Sequence, residues 1–342
     1  MIIDLRSDTV TRPTPAMLEA MMTAPVGDDV FGEDPTINKL EAMAAGLFGM
    51  EAAIYSPSGT MSNQIALKAH TQPGDEVICD KTAHVYQYEG GGIAFNSGAQ
   101  VKLLDGMNGR ITAGQVVASI NPDDVHKAHT AVVCLENTSN RGGGSCYDIE
   151  EIKRIRKVCD DNGLILHLDG ARLFNAIVAK KETPQQHGAL FHSISVCLNK
   201  GLGCPIGSLL ISNKQVIKKA RRIRKVFGGG MRQAGFMAAA GVYALENNID
   251  RLAIDHQHAR VLADALSKKS FTAAILPVET NIVIVDIKPP YKPQPIVEQL
   301  KQHNILAIAI SATQIRMVLH LDISPEMVAK TVEVINKIGI EA

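Results

Sequence analysis

The fold of this chain is decided by two stretches, Leu164–Arg172 (LILHLDGAR) and Ser193–Gly201 (SISVCLNKG). Each begins with a short apolar run of the kind that forms a buried strand. Charged side chains follow at once, Asp169 and Arg172 in the first stretch and Lys200 in the second. Because ligands of α/β proteins bind at the carboxyl ends of the strands, we expect these three groups to meet at one site.

Strand and helix patterns alternate on both sides of these stretches. Apolar runs typical of strands recur at 52–56, 76–79, 101–104, 130–137 and 206–211. This alternation predicts a large α/β domain over residues 1–250, including the N-terminal segment, with a mostly parallel sheet flanked by helices. The order then changes, which predicts a small α+β domain over residues 251–342. Its expected strands lie at 275, 281–287, 305–310 and 314–319, and its later helices at 295–303 and from 324.

The composition of the 342 residues is that of an ordinary globular protein with a sizeable core, since 46% are hydrophobic and 20% are charged. The 35 basic and 35 acidic side chains cancel, which argues against binding to nucleic acid or to a membrane surface. The N-terminus lacks the basic and apolar regions of a signal peptide, and the six cysteines show no CxxC spacing. We therefore expect a cytoplasmic protein.

A lysine and a carboxylate at one sheet edge, each followed by glycine, indicate pyridoxal phosphate (PLP). Lys200 would form the Schiff base, and Asp169 would be the partner of the pyridinium nitrogen. The alternatives are an exposed loop lysine and an aspartate that caps the next helix. Both residues follow core strands, where a buried charge needs a partner, and this favours the functional interpretation.

Other candidates for anion binding lie further along the chain. Ser58-Gly59-Thr60 stands between a strand and a helix and would form a phosphate cradle, although a plain capped turn is the simpler interpretation. Arg232 follows three glycines ahead of a helix and suggests a second anion site. Arg316 is the only charge in an apolar run, so it should contact a substrate carboxylate or form a structural salt bridge.

Two further features have a simple structural interpretation beside a functional one. His84 is expected near the sheet edge, where it would stack on a pyridine ring or act as a base, although a lone loop histidine is often a bystander. The acidic loop 27–35 lacks the spacing of a calcium loop, so we expect its carboxylates to cap helices and turns. No metal site is predicted.

Taken together, these motifs resemble the L-threonine aldolase family of fold-type I PLP enzymes. The matching stretches cover the large domain in order, and Arg316 continues the match into the small one. They are DLRSDTVTRPT (4–14), GDDVFGEDP (27–35), PSGTMSNQ (57–64), CLENT (134–138), LHLDGARLFNA (166–176), CLNKGLGCPIGS (197–208) and GGGMRQAG (228–235).

The resemblance implies a role for each matched residue. Lys200 would hold the cofactor covalently, Asp169 would pair with its ring nitrogen and His84 would stack on the ring. The phosphate would be bound by Gly59 and Thr60, with Arg232 supplied by a neighbouring subunit. The substrate carboxylate would be bound by Ser7, Arg172 and Arg316. The position of Arg172, three residues after Asp169, leaves the ring hydroxyl as its alternative partner.

The resemblance also implies an activity and an assembly. The expected reaction is retro-aldol cleavage of L-threonine or L-allo-threonine to glycine and an aldehyde. The expected assembly is a homotetramer, a dimer of dimers with shared active sites, in which Lys225 would act across an interface. The alternatives are another fold-type I reaction on a small amino acid, such as that of a β-lyase or a hydroxymethyltransferase, and a PLP-binding protein with weakened catalysis.

Three positions depart from the family pattern. Ser139 replaces a histidine that the family associates with the substrate hydroxyl, and Phe31 replaces a tyrosine. Asn199 stands where a serine usually precedes the lysine. With Ser139 in place, we expect His84, or a water that it holds, to be the base.

Overall fold

The structure is a computed structural model that describes residues 2–339. No helix in this part of the chain is long and apolar enough to cross a membrane. The helices are α1 (Pro15–Met22), α2 (Pro35–Phe48), α3 (Gly59–His70), α4 (His84–Gln87), α5 (Ala113–Val117), α6 (Ile149–Asp161), α7 (Leu173–Lys180), α8 (Pro184–Gly188), α9 (Lys214–Val226), α10 (Gly235–Asn247), α11 (Leu252–Ser267), α12 (Pro293–Gln302) and α13 (Pro325–Lys337). The strands are β1 (Ile3–Asp4), β2 (Ala52–Ser56), β3 (Glu76–Asp80), β4 (Gln100–Leu104), β5 (Thr130–Glu136), β6 (Ile165–Asp169), β7 (Ser193–Cys197), β8 (Ser208–Ser212), β9 (Thr272–Ile275), β10 (Ile282–Ile287), β11 (Ile305–Leu306), β12 (Ile308–Ala309) and β13 (Gln314–Val318).

A seven-stranded sheet forms the centre of the molecule, in the order β2-β8-β7-β6-β5-β3-β4. Only β8 runs antiparallel to its neighbours, and the other pairs are parallel. The stretches Leu164–Arg172 and Ser193–Gly201 contain the adjacent strands β6 and β7. The register of β5 on β6 places Glu136 beside Asp169 at the carboxyl end of the sheet. The predicted α/β fold with a mostly parallel sheet is confirmed.

A four-stranded antiparallel sheet, β12-β13-β10-β9, forms a second layer near the C-terminus. The run 305–310, predicted as one strand, is divided between two sheets. β11 pairs with β1, whereas β12 lies at the edge of the antiparallel sheet. Ala307 alone separates β11 from β12, so the two halves of the run pair with different strands, β1 and β13.

Strand β1 packs with the C-terminal part of the chain, although the predicted boundary counts its residues with the large domain. Ile3 pairs with Ile305, and Ile3 and Leu5 are buried in the same apolar core as Phe271 and Val285. The reason is that Ile3 and Leu5 alternate with Asp4 and so bury one face of a short strand. The division at residues 250 and 251 stays a prediction; helix α11 packs against α7 on one side and against α13 and β10 on the other.

The acidic loop 27–35 has the capping role that its sequence predicts. Asp34 caps α2 by accepting hydrogen bonds from the backbone N–H groups of Thr36 and Ile37 at 3.1 and 3.0 Å. Asp29 forms a buried ion pair with Arg224 of the basic helix α9 at 2.6 Å. These contacts fix the loop against α9 and α10 and therefore fix the chain that carries Arg232.

Candidate active site

A cavity of about 410 Å³ lies at the carboxyl ends of β5, β6 and β7, where strands β12 and β13 of the small sheet face them. Six of the predicted site residues line it: Ser7, His84, Asp169, Arg172, Lys200 and Arg316. Nine further residues complete the lining, namely Thr9, Tyr88, Glu136, Asn140, Arg141, Ala171, Ile308, Ala309 and Ile310. The tertiary structure thus brings together residues that are up to 309 positions apart in the sequence.

Lys200 lies on the loop that follows β7, and its Nζ atom is 3.3 Å from Cys197 Sγ. The same sulfur lies so close to Gly59 that a Cβ atom at position 59 would clash with it. Ser58 caps α3 by accepting a hydrogen bond from Met61 N at 3.2 Å. The first turn of α3, with its free N–H groups, is therefore a near neighbour of the lysine, as an anion cradle requires. Gly59 and Thr60 are not among the residues that line the cavity itself.

Asp169 is buried and makes only neutral contacts. Its Oδ2 accepts a hydrogen bond from Asn63 Nδ2 at 2.9 Å, and its Oδ1 accepts one from Ala171 N at 3.1 Å. No side chain among residues 2–339 forms an ion pair with it. Since a buried carboxylate is costly without a cation, the protonated nitrogen of a pyridine ring is a suitable partner.

His84 is held from two sides. Its Nδ1 lies 2.9 Å from Glu89 Oε1, and its backbone N–H donates to Glu136 Oε2 at 2.6 Å. Burial disfavours protonation of the ring, but the hydrogen bond to Glu89 and the charge of Asp169 outweigh it and raise the pKa of His84. The ring is therefore a base whose proton affinity is tuned by two neighbouring carboxylates.

Glu136 is a site residue that the sequence reasoning did not single out. It ends β5 just as Asp169 ends β6, and this repeated position after an apolar run was the available signal. Its Oε1 accepts a hydrogen bond from Asn140 N at 2.8 Å. Burial and the charge of Asp169 raise the pKa of Glu136 to about 7.

The raised pKa of Glu136 makes the stability of the cofactor-free protein depend on pH. Between about pH 4.5 and pH 7 the folded chain holds a proton on Glu136 that the unfolded chain has lost, so its contribution to stability falls as pH rises through this window. Replacing Glu136 with glutamine removes this titration. Denaturant unfolding should show the stability of the variant relative to the wild type rising by on the order of 2 kcal/mol from pH 5 to pH 8. A constant difference would contradict the assignment.

Arg172 lines the cavity, but two of its nitrogens already bind a carboxylate within the chain. Its Nε and Nη2 donate to the two oxygens of Asp8 at 2.7 and 2.6 Å, and both side chains are buried. The ion pair with Arg172 outweighs burial and lowers the pKa of Asp8 to about 2. The donor fork predicted for a substrate carboxylate therefore holds Asp8, which leaves Nη1 as the uncommitted nitrogen of this guanidinium.

Arg316 has no acidic partner in the described part of the chain. Its Nη1 donates to Asn140 Oδ1 at 2.9 Å and its Nη2 to the carbonyl of Arg6 at 3.1 Å. Its Nε is buried and has no hydrogen-bond partner. Burial and the nearby charges of Arg172 and Arg141 lower the pKa of Arg316 to about 10. A guanidinium with cationic neighbours and no acidic partner is suited to bind an anion.

Arg232 lies outside the cavity of its own chain. It is exposed, donates to Asp28 Oδ2 at 2.9 Å, and its guanidinium carbon is 5.8 Å from the centre of the Phe31 ring. One of the glycines before it, Gly229, packs against the first turn of α3, where a Cβ atom would clash with Met61 Sδ. The phosphate role of Arg232 stays a prediction.

Ser139, one of the three departures from the family pattern, does not line the cavity. It is buried, and its Oγ accepts a hydrogen bond from Gly142 N at 3.2 Å. Its neighbour Asn140 lines the cavity instead and binds Arg316. The structure therefore gives Ser139 a role in the loop and leaves His84 as the histidine of the cavity in the described chain.

His84, Glu89 and Asp169 each offer an atom within 4.8 Å of the others, which is also a spacing that a metal ion accepts. However, Asn63 Nδ2 lies 2.9 Å from Glu89 Oε1 and 2.9 Å from Asp169 Oδ2. The amide of Asn63 therefore donates to both carboxylates. A metal ion bound at the same place would compete with Asn63 for the lone pairs of these oxygens.

The chain is similar to characterised proteins along nearly its whole length. The family model described as beta-eliminating lyase matches residues 4–289. The low specificity L-threonine aldolase of Escherichia coli strain K12 is 45% identical over 331 residues, which cover 96% of this chain and 97% of that protein. A probable low-specificity L-threonine aldolase 2 of Arabidopsis thaliana is 41% identical over 329 residues, covering 94% and 93% of the two chains.

Solved structures agree on the fold. The threonine aldolase of Leishmania major superimposes with a TM-score of 0.85 at 21% identity, covering 98% of this chain and 99% of that one. A putative L-allo-threonine aldolase of Listeria monocytogenes gives 0.80 at 22% identity, covering 98% and 96%. With the family model and relatives above 40% identity in agreement, the chain belongs to the L-threonine aldolase family of lyases.

Proposed function

We propose that this chain is a PLP-dependent aldolase that cleaves L-threonine, L-allo-threonine and related β-hydroxy-α-amino acids to glycine and an aldehyde. The observation that carries the proposal is the presence, in one cavity, of Lys200, Asp169 and the guanidinium of Arg316, which has no acidic partner among residues 2–339. The first pair suits a pyridine aldehyde, and the guanidinium suits the carboxylate of an amino acid. The similarity to low-specificity L-threonine aldolases supports the same reaction.

The residues present fit PLP. Asp169 is a buried carboxylate without a cation, and the glycine at position 59 opens the start of α3 toward the loop of Lys200. In the proposed arrangement Lys200 would hold the aldehyde carbon, Asp169 the ring nitrogen, and Gly59 and Thr60 the phosphate. His84 would contact the ring. When bound, PLP supplies an electron sink for the pair of electrons released at Cα.

The protein's own side chains orient the substrate and move its proton. Arg316, Ser7 and the free Nη1 of Arg172 bind the carboxylate. Charge-assisted hydrogen bonds from guanidinium groups fix its direction, and with it the bond that breaks. The Nε2 atom of His84, which has no partner among residues 2–339, accepts the proton of the β-hydroxyl group. Glu89 holds the opposite nitrogen and orients the ring.

We also propose the assembly that the family pattern implies, a homotetramer with active sites shared between subunits. Arg232 and Phe31, which is 72% exposed, lie together at the surface, and Gly229 of the preceding loop packs against Met61 in the first turn of α3. A neighbouring subunit would place such a surface arginine, and Lys225 with it, at a phosphate site that its own chain does not complete. Sedimentation equilibrium of the PLP-loaded protein tests this assembly.

The activity is tested by incubating purified, PLP-loaded protein with L-threonine and L-allo-threonine without folate. Acetaldehyde and glycine in equal amounts are the expected products. Cleavage of L-serine to glycine that requires added tetrahydrofolate, the acceptor of the hydroxymethyl carbon, would indicate a hydroxymethyltransferase. Ammonia with a keto acid would indicate a β-lyase. A protein that binds PLP and releases nothing from any β-hydroxy amino acid would refute the proposal.

Replacing Arg316 with leucine should lower kcat/KM for L-threonine by about 10- to 100-fold, because charge-assisted hydrogen bonds to the carboxylate are lost. PLP affinity should be unchanged, since Arg316 binds the substrate alone in this arrangement. Steady-state kinetics and a PLP titration check both statements. Arg110, which lies away from the cavity and pairs with Glu279 at 3.5 Å, gives a matched control in Arg110→Leu. A full loss of PLP binding in Arg316→Leu would contradict the assigned role.

Replacing His84 with asparagine should lower kcat by about 100-fold while PLP still binds, because the amide keeps the shape of the residue but cannot accept the proton. Stopped-flow aldehyde detection together with the cofactor's visible spectrum would separate turnover from binding. Near-normal turnover in this variant would refute the role of His84 as the base.

A further inference from the structure

A buried network of hydrogen bonds runs beneath the cavity, along the face that α3 packs on β6 and β7. His70 Nε2 lies 3.0 Å from Ser193 Oγ, and the same oxygen lies 2.8 Å from His167 Nδ1. His167 Nε2 lies 3.3 Å from Asn63 Oδ1. The network thus joins the last turn of α3 to Asn63 in its second turn, by way of the two central strands.

The network has one arrangement of protons that satisfies every member. Burial lowers the pKa of His70 to about 3 and that of His167 to about 4, so both rings are neutral. With each proton on Nε2, His70 donates to Ser193, Ser193 donates to His167 and His167 donates to Asn63. The other tautomer of His167 would direct Nδ1–H at the carbonyl of Ser193, 3.1 Å away, and leave Asn63 Oδ1 facing a lone pair.

Asn63 is held in a single orientation by these donors. Its Oδ1 also accepts the hydroxyl of Ser195 at 2.6 Å. Its Nδ2 therefore points the other way, with one N–H for Asp169 and one for Glu89, each at 2.9 Å. A flipped amide would put its oxygen against two carboxylates. The donors polarise the amide toward both carboxylates, and such hydrogen bonds to charged groups are the strong ones.

We propose that Asn63 is a positioning residue that clamps Asp169 and Glu89 together and so couples the cofactor-nitrogen partner to the base His84. This inference rests on the proposed function. The clamp holds Asp169 in place for the pyridine nitrogen. Asn63 also donates a hydrogen bond to Glu89. This bond weakens the attraction between Glu89 and a proton on His84. Because Asn63 lies one turn after Gly59 and Thr60, α3 ties the phosphate cradle to both carboxylates.

Several charged and titratable groups surround His84 and act on the protonation of its ring. Glu89 and Asp169 favour its proton and Lys200 disfavours it. Glu136 binds its backbone N–H, and the ring of Tyr88 lies 5.6 Å from its own. Removal of the amide leaves Glu89 with His84 and Gln64 as its remaining partners. The proton should then be held on His84 to higher pH.

The test is Asn63→Leu, which keeps the volume and removes both donors. The affinity for PLP, measured by titration of cofactor-free protein without substrate, should fall about tenfold. The acid limb of kcat/KM against pH should move up by about one unit. Asn175→Leu is the matched control. Asn175 is a buried amide outside the network that binds His256 at 3.0 Å, and its variant should leave PLP affinity and the pH profile unchanged.

A second variant keeps the proposal testable if Asn63→Leu does not fold. Ser195→Ala leaves Asn63 in place but removes the hydroxyl that fixes its orientation, and it should shift both quantities in the same direction by a smaller amount. Wild-type PLP affinity and pH profile in the folded variant would overturn the proposal. The PLP titration requires no turnover. A wild-type protein that binds PLP but releases no aldehyde would refute the proposed activity, and the role of Asn63 would then be tested by PLP affinity alone.

Discussion

Replacing Lys200 with methionine is expected to lower the rate of aldehyde release from L-threonine by about 10³-fold or more. Methionine keeps much of the length and apolar character of the lysine stem but has no amine. Lys200 forms no ion pair among residues 2–339 and lies on a glycine-bounded loop over a core strand, so the fold does not depend on its charge. The loss should therefore appear in kcat rather than in stability.

Three measurements make the Lys200 result specific. The unfolding free energy of Lys200→Met should match the wild type within about 1 kcal/mol. PLP should still bind, but borohydride should no longer attach it irreversibly to the protein. The exposed surface residue Lys153, on α6, gives a control variant, Lys153→Met, with full activity. Substantial turnover by Lys200→Met would show that another amine carries the cofactor.

Replacing Asp169 with asparagine is expected to reduce kcat by roughly 10²- to 10³-fold, because the anion that would face the pyridine nitrogen is lost. Asparagine has almost the same shape, but its single amide oxygen can accept only one of the two hydrogen bonds that Asn63 Nδ2 and Ala171 N donate to Asp169. The variant therefore loses the negative charge together with one hydrogen bond. PLP affinity should fall as well, since a charge-assisted contact becomes a neutral one.

Asp169→Glu is the informative companion variant. It keeps the charge but moves it by one methylene within a buried, fully packed position, so it should retain more activity than Asp169→Asn if charge is the main contribution. The visible spectrum of the bound cofactor and its dissociation constant are the readouts. Equal activity of Asp169→Asn and the wild type would refute the role of Asp169 as the nitrogen partner.

Most of the large-domain fold is predictable from the sequence because its elements have local signatures. Thr14 with Pro15, and Asp34 with Pro35, predict the starts of α1 and α2, and the structure confirms both caps. Gly49 ends α2 in the left-handed region at φ +62°, which favours glycine. The strands are equally local in origin, since they are apolar runs that end in polar residues.

The sequence by itself determined which chemistry this protein carries. Asp169 and Lys200 each follow an apolar strand, and parallel strands present their carboxyl ends on one edge, so a carboxylate and an amine had to meet. Only the tertiary structure decided which partner each remaining group has. Arg172 pairs with Asp8, 164 residues away, and Asn63 reaches Asp169 across 106 residues. Such contacts depend on how α3 and the N-terminal segment pack on the finished sheet, and no local pattern records that packing.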